Sequence, residues 1–310
     1  MDPIEDINPR KDSTLAMLLE AQQRSWDVYY LFPGTLFALD GEAYAKAAHL
    51  SVFADEQHWF ETGEISTHVL ADFDLILMRK DPPFNMEFIY ACYMLDLAAT
   101  KGTLVLNNPA SLRNFNEKFS ILNFPECCAA TLVTQNIATI QSFLDQHKHL
   151  VIKPLDAMGG ESIFKLSERD PNRNSIIQQM TAKGHNSVMC QRFIPEVTAG
   201  DKRILLIHGE PIPYALARIP QGDEFRANLA AGGIGMSVEL SERDYWICQQ
   251  LKDTLISNGI VFAGIDVIGD YLTEINITSP TCIRELDTMN NMNISALLFE
   301  RIEHLLTAKL

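Results

Sequence analysis

Between Gly264 and Glu285 the chain reads GIDVIGDYLTEINITSPTCIRE, and three of its residues carry oxygens at spacings that could hold a cation. From Tyr271 to Thr278 the pattern has a period of two. Glu274 and Asn276 therefore project from one face of a strand, while Ile275 and Ile277 face a core. Asp266, one strand earlier in a hairpin, is placed to lie opposite them. Two carboxylates and a carboxamide oxygen suit a hard divalent cation, and Mg²⁺ suits them better than Zn²⁺ because nearby Cys and His are few. The same spacing also describes an edge strand whose polar residues face water.

Two further stretches place charge beside flexible backbone. Leu150–Pro154 reads as a strand, followed by DAMGGES and a second strand, Ile163–Leu166. The amide groups of such a glycine loop can approach phosphates closely. Lys153, alternating with Val151, adds a positive charge on one face beside it. No Gly-Lys-Ser/Thr opens a helix afterwards, so this is not a Walker loop. The glycines alone fit a plain turn. The tripeptide Arg79-Lys80-Asp81 follows Phe73–Met78 (FDLILM), which reads as a buried parallel strand. In open α/β sheets that edge is where ligands bind, although a solvated loop fits there too.

The elements that must position these residues fall into three units. In the first, Asp12 or Ser13 caps a helix over Thr14–Arg24, and short strands follow at Asp27–Leu31, Thr35–Leu39 and Glu42–Phe53. A helix over Phe84–Lys101 leads to a strand at Thr103–Asn107. Alternating strands and helices over residues 1–112 predict an α/β layer domain. A βα unit opens on a strand, and here the chain starts in the loop after it, so the first strand is expected to be missing. Asn114–Phe119 and Pro125 mark the passage to a second unit, with strands at Leu132–Val133 and Ser187–Phe193 and a helix over Asn136–His147. The third unit holds a hairpin around His208-Gly209, a helix from Ser241 to about Asn258 and a closing helix over Ile294–Ala308. Residues 221–237 lack a sustained period and read as a lid or loop.

Composition narrows the function. The 310 residues are 47% apolar and 21% charged, as in an ordinary globular protein. A net charge of −15 with no basic run argues against nucleic acid, and any anionic ligand must be met by locally placed Arg and Lys. The six cysteines lack metal-like spacing, and several sit in apolar runs as buried thiols do. No signal peptide and no apolar run of about 18 residues is present, so the expectation is a cytoplasmic protein without a membrane span.

MDPIEDINPRKDST, LMRKDPPF, IKPLDAMGG, DKR, ARIPQG, NLAAGG, GIDVIGD and LTEINITSPTCIRE, in this order, resemble the bacterial glutathione synthetases of the ATP-grasp superfamily over essentially the whole chain. The resemblance implies a small Rossmann-like (pre-ATP-grasp) α/β domain over 1–114 and two α+β subdomains, a lid over 115–192 and a catalytic unit over 193–310. It implies ligation of γ-glutamylcysteine to glycine, with ATP cleaved to ADP and phosphate through an acyl phosphate. Mg²⁺ is the implied ion, Mn²⁺ its substitute, and a homo-oligomer (a tetramer) the implied assembly.

Residue by residue, the resemblance puts Lys118 and Lys153 on the ATP phosphates, and Asp156–Ser162, with Gly159 and Gly160, over them as a flap. Gln191, Arg192, Phe193 and Ile194 would line the adenine pocket, with Asp201 near the ribose. Asp266, Glu274 and Asn276 match the metal positions. Arg203 would face the transferred phosphoryl group. Arg218, Arg284, Ser279 and the tripeptide Arg79, Lys80 and Asp81 would face the peptide substrate. Residues 219–235, with Arg226, match a loop that closes over the intermediate. Ile234 stands where close members carry Arg, which implies a looser hold on the acyl phosphate. Another ATP-grasp ligase, such as one resembling D-alanine–D-alanine ligase, is the runner-up, but the DPPF, ARIPQG and TSPTCIRE motifs weigh against it. A nucleotide-binding protein without turnover is the third reading.

Overall fold

The computed structural model describes residues 1–157, 160–222, 226–227, 229 and 232–308. Its first unit opens with α1 (Ser13–Gln23), whose N-terminus is capped by Asp12 accepting from the Leu15 amide at 2.6 Å. Next come β1 (Tyr29–Leu31), β2 (Phe37–Leu39), β3 (Glu42–Val52), β4 (Phe60–Thr62) and β5 (Ser66–Val69), and β3 pairs antiparallel with each of the others. The short polar strands β4 and β5 carry no alternating apolar signal, so the sequence does not announce them. Ala43, Ala45, Ala47 and Ala48 are all buried along β3, which leaves room for a helix to approach. That helix, α2 (Met86–Thr100), connects β6 (Leu75–Leu77) to β7 (Leu104–Leu106), a parallel pair as the stretch Phe73–Met78 predicted. A short α3 (Pro109–Asn114) leads out.

The second unit is a four-stranded antiparallel sheet with two helices. Its elements are β8 (Thr131–Thr134), α4 (Ile137–His147), β9 (His149–Pro154), β10 (Phe164–Ser167), α5 (Arg173–Met180) and β11 (Val188–Arg192), with sheet order β10-β9-β11-β8. Ile140 and Leu144 of α4 and Ile177 of α5 pack on Leu150, Ile152, Leu166, Val188 and Cys190 in a core of their own. The sequence did not reveal α5, because eight residues with two adjacent isoleucines give no helical period.

The third unit is a five-stranded antiparallel sheet, β14-β13-β12-β15-β16, built from β12 (Asp201–Ile207), β13 (Glu210–Ile219), β14 (Ile234–Glu239), β15 (Phe262–Ile268) and β16 (Tyr271–Asn276). A two-residue turn joins β12 to β13. His208 and Gly209 have φ of 51° and 79°, and a Cβ on Gly209 would meet Lys252 Cγ at 2.9 Å, so glycine is required there. The helix α6 (Glu242–Ser257) starts in a capping box between Ser241 and Asp244. α7 (Ile283–Asn290) and α8 (Ile294–Thr307) complete the chain, and Phe299 of α8 packs on Trp26 just beyond α1, their ring centroids 5.1 Å apart. One expectation is corrected here. The stretch 221–237 was read as loop, yet 234–239 is a strand paired with β13, whose apolar Ile234 and Met236 point to solvent. Among the described residues no helix is long and apolar enough to cross a membrane.

Candidate active site

Strand alternation sends one face of the five-stranded sheet into a core and the other into a cleft. Ile204, Leu206, Ile265, Val267 and Ile275 are fully buried. Between them, Arg203, Asp266 and Glu274 face one another across β12, β15 and β16 at consecutive registers. Asp201 and Arg218 form a second opposed pair on β12 and β13. A bulge between Asp266 and Val267 brings Thr273 Oγ1 to the Asp266 carbonyl at 3.1 Å.

The charges in this face pair with each other. Arg203 grips Asp266 with two bonds, Nε–Oδ1 at 2.5 Å and Nη2–Oδ2 at 3.0 Å. Arg218 Nη2 lies 3.0 Å from Asp266 Oδ2 and 2.7 Å from Asp201 Oδ2. From the smaller sheet, Lys153 Nζ reaches the Thr273 carbonyl at 3.2 Å and Glu274 Oε1 at 3.3 Å. Lys118, from the junction before the smaller sheet, sits 3.8 Å from the same oxygen and donates to the Ala157 carbonyl at the flap's entry. Burial pushes the Asp266 and Glu274 carboxyls up, but the adjacent Arg203 and Arg218, and Lys118 and Lys153, pull each one net down, so both stay ionised. Burial holds the Lys153 ammonium below its usual range. Asp201, buried beside Arg218 and Asp266, is pushed up.

The two sheets line an open cleft, with Val151, Lys153 and Gln191–Ile194 on the small sheet and Asp201, Asp266 and Glu274 on the large one. Ile163, Phe193, Val197 and Ile268 give the cleft apolar lining, and Lys153, Arg192, Arg226 and the carboxylates give it charged lining. Arg226 and Ala227 also line the cleft, and Arg226 donates to the Gly160 carbonyl at 3.1 Å. Asp156 and Ser162 flank the flap, Ser162 with φ of 55°. Gly159 lies outside the described residues, as do parts of the closing loop.

Asn276 Nδ2 donates to the Gly264 carbonyl at 3.1 Å, and its position on β16, two residues from Glu274, puts it on the same strand face. An all-oxygen set with both carboxylates ionised fits a hard divalent cation. Among the described residues, six cations (Lys118, Lys153, Arg192, Arg203, Arg218 and Arg226) and three carboxylates (Asp201, Asp266 and Glu274) stand around it. In a chain of net charge −15 that local surplus marks a place for a polyanion.

The remaining predicted residues gather at the β6 edge. Arg79 is buried, and it donates to Thr14 Oγ1 at 3.2 Å and to the Pro280 carbonyl at 2.8 Å. Burial lowers it to about 10. Ser279 Oγ lies 3.5 Å from the Arg79 carbonyl. Burial raises the Asp81 carboxyl, Ser279 opposing it, and Lys80 is half-buried beside them. Arg284, on α7, buries its Nη1 with no hydrogen-bond partner among the described residues, as does the neighbouring Glu285 with its Oε2. Sequence reasoning missed Cys282, which precedes α7 at φ 88° with its thiol buried near Arg203 and Arg218. It also missed Asn116 and Glu117. Cys282 lies within the TSPTCIRE motif without a role of its own there, and no period or motif singles out Asn116 or Glu117.

Two antiparallel sheets closing on one charged cleft are the architecture of ATP-grasp ligases, enzymes that use ATP together with a divalent cation. The solved D-alanyl-alanine synthetase A from Vibrio cholerae shares this fold, with a TM-score of 0.58 at 14% identity over 95% of this chain and 94% of that one. A RiPP-associated ATP-grasp ligase from Chryseobacterium gregarium, solved with ADP and peptide, gives 0.59 at 16% identity over 92% of each chain. Residues 1–113 match the prokaryotic glutathione synthetase N-terminal domain, and residues 117–291 match the ATP-grasp domain of the same enzymes. The glutathione synthetase of Xanthomonas campestris is 52% identical over 98% of this chain and 96% of that protein, and that of Pseudomonas putida is 50% identical over 100% and 98%. This chain belongs to the prokaryotic glutathione synthetase family.

Proposed function

We propose that the cleft joins γ-glutamylcysteine to glycine, forming glutathione, ADP and phosphate. The observation that supports it is the surplus of cations around Asp266 and Glu274. A carboxylate is a poor acceptor for an amine until it gains a leaving group. The γ-phosphoryl group of ATP supplies one by forming an acyl phosphate with release of ADP, and the glycine amine then attacks its carbonyl carbon and displaces inorganic phosphate. Phosphoryl transfer needs alignment and charge neutralisation, and no protein nucleophile.

In this reading Lys118 and Lys153 hold the ATP phosphates, and the flap that Lys118 touches closes over them. The apolar lining formed by Phe193, Ile194 and Ile268 takes the adenine, and Asp201 the ribose. Arg203 and Arg218 stabilise charge building on the transferred phosphoryl group and on the tetrahedral carbon that follows. Arg226 helps to shut water out. The Arg284 donor, unpartnered among the described residues, and the Arg79-Lys80-Asp81 edge orient the peptide with Ser279. Asp266, Glu274 and Asn276 would hold the divalent cation, which neutralises phosphate charge when bound. Mg²⁺ is the ion of choice for such a set, with Mn²⁺ able to substitute.

The units are 1–114 for peptide binding, 115–192 as the lid and 193–310 as the catalytic platform, assembled as a homo-oligomer. All six cysteines are free, as suits a reducing cytoplasm. The test is phosphate release from ATP and Mg²⁺ with both substrates and with each omitted. Release that requires γ-glutamylcysteine and glycine together supports the proposal. Release with D-alanine instead, or no turnover with any pair, rejects it.

A further inference from the structure

The strand that carries Glu274 and Asn276 is the outer edge of its sheet, so its outward amides need partners from elsewhere. They find them in Glu117. The Glu117 carbonyl accepts from the Ile275 amide at 2.8 Å. Its carboxylate Oε1 accepts three more bonds, from the Ile277 amide at 2.8 Å, the Thr278 amide at 3.0 Å and Thr278 Oγ1 at 2.9 Å. One residue thus continues the ladder along β16 and pins the turn immediately after Asn276.

The residues on either side of Glu117 face the opposite partner. Asn116 Nδ2 donates to the Leu155 carbonyl at 3.0 Å, at the exit of β9, and its Oδ1 accepts from the amides of Lys118 and Phe119 at 3.1 and 2.7 Å. Lys118 reaches both Ala157 in the flap and Glu274 on β16. The tripeptide Asn116-Glu117-Lys118 therefore ties the flap of the small sheet to the cation-facing strand of the large one.

We propose that Glu117 is a positioning residue for the nucleotide and its divalent cation. It acts through β16 and Lys118, holding Glu274, Asn276 and the Lys118 ammonium in one register. This rests on the ATP-dependent reading of the cleft. Groups that orient ligating side chains in this way alter metal affinity or activity by about ten- to a hundredfold when removed.

The experiment compares wild type, Glu117→Ala, Glu117→Gln and Glu117→Asp. The readouts are KM for ATP, the Mg²⁺ concentration giving half activity, KM for γ-glutamylcysteine, and the Kd of Mg-ADP by calorimetry, which does not depend on turnover. Glu117→Ala should raise the ATP, Mg²⁺ and Mg-ADP constants about tenfold while KM for γ-glutamylcysteine stays within about twofold. Glu117→Gln keeps an acceptor oxygen at the same reach and should restore most of the loss. If the alanine variant does not fold, Glu117→Asp decides, because it keeps the charge but falls a methylene short and should show the same selective rise. Nucleotide and metal constants within twofold of wild type in the folded variants, or an equal rise in KM for γ-glutamylcysteine, would overturn the role. Wild type that neither turns over ATP nor binds Mg-ADP would reject the reading of the cleft and not the role of Glu117.

Discussion

The two sheets that face each other across the cleft are built on opposite terms. The large sheet embeds Asp201, Arg203, Arg218 and Asp266 in its middle strands, each under a tenth exposed, and flanks them with fully buried Ile204, Leu205 and Ile265. Every one of these charges has a partner on the next strand. The small sheet buries one charge, Lys153, whose partner belongs to the other sheet, and its own core is eight side chains under two short helices. In the proposed function the cross-braced sheet would hold the reacting geometry and the small sheet would act as its lid. The small sheet keeps a core of its own, and it is joined to the large one by Lys153, the Asn116–Lys118 segment, the Arg226–Gly160 bond and Met189, which packs in the large core with Ile204 and Ile265.

The largest expected effect is at the link between the two. Lys153→Met keeps the length and the apolar stem of the side chain and removes the cation. We expect kcat to fall by about 10²–10³, the usual loss when one donor aimed at developing charge is removed, with little change in Tm. Steady-state kinetics and a thermal melt check it, and a rate within fivefold of wild type would mean that the lid contributes no charge to the reaction. Next in size is Leu144→Ala, which opens a cavity in the lid core and should cost about 2–5 kcal/mol there. Hydrogen exchange should show lid amides of β9 and β11 losing protection while those of β12 and β15 keep theirs. Equal loss in both sheets would make lid and platform one cooperative unit.

Legibility in the sequence follows the same division. β9 declared itself because Leu150-Val151-Ile152 is a continuous apolar run, and α6 because Ser241 sits before a helical period with Asp244 three residues on. The alternation of Glu274 and Asn276 with Ile275 and Ile277 was readable, and so was Asp266 opposite them, since a hairpin needs only local register. What stayed hidden was non-local or inverted. Nothing in the spacing says that Arg203 would clasp Asp266, sixty-three residues away, because β12 reaches β15 only through the sheet order. β14 was hidden because its apolar residues face solvent, and α7 because it starts at Cys282 in a left-handed conformation without a capping side chain. Glu117 was invisible because its partners, the amides of Ile275, Ile277 and Thr278 and the Thr278 hydroxyl, lie about 160 residues away and are mostly main-chain groups, which no side-chain pattern encodes.

The smallest effect sharpens the comparison most directly, through two thiols in equivalent chemical settings. Cys190 lies in the lid core on β11 and Cys248 in the platform core on α6, and burial pushes both up to about 12. At pH 8 a closed-state thiol of that kind is thiolate in only about one molecule in ten thousand, so alkylation must proceed through opening of the surrounding structure. Iodoacetamide labelling followed by peptide mass spectrometry should modify Cys190 several-fold before Cys248. The pH dependence separates the routes. Reaction through the open state should level off once pH passes the ordinary thiol range near 8.5, whereas reaction in the closed state would keep rising about tenfold per pH unit toward 12. Saturating nucleotide and Mg²⁺ should slow Cys190 and leave Cys248 nearly unchanged, because ligand held between the sheets restrains the lid. Labelling of Cys248 first, or at the same rate as Cys190 with and without nucleotide, would show that the two sheets open together.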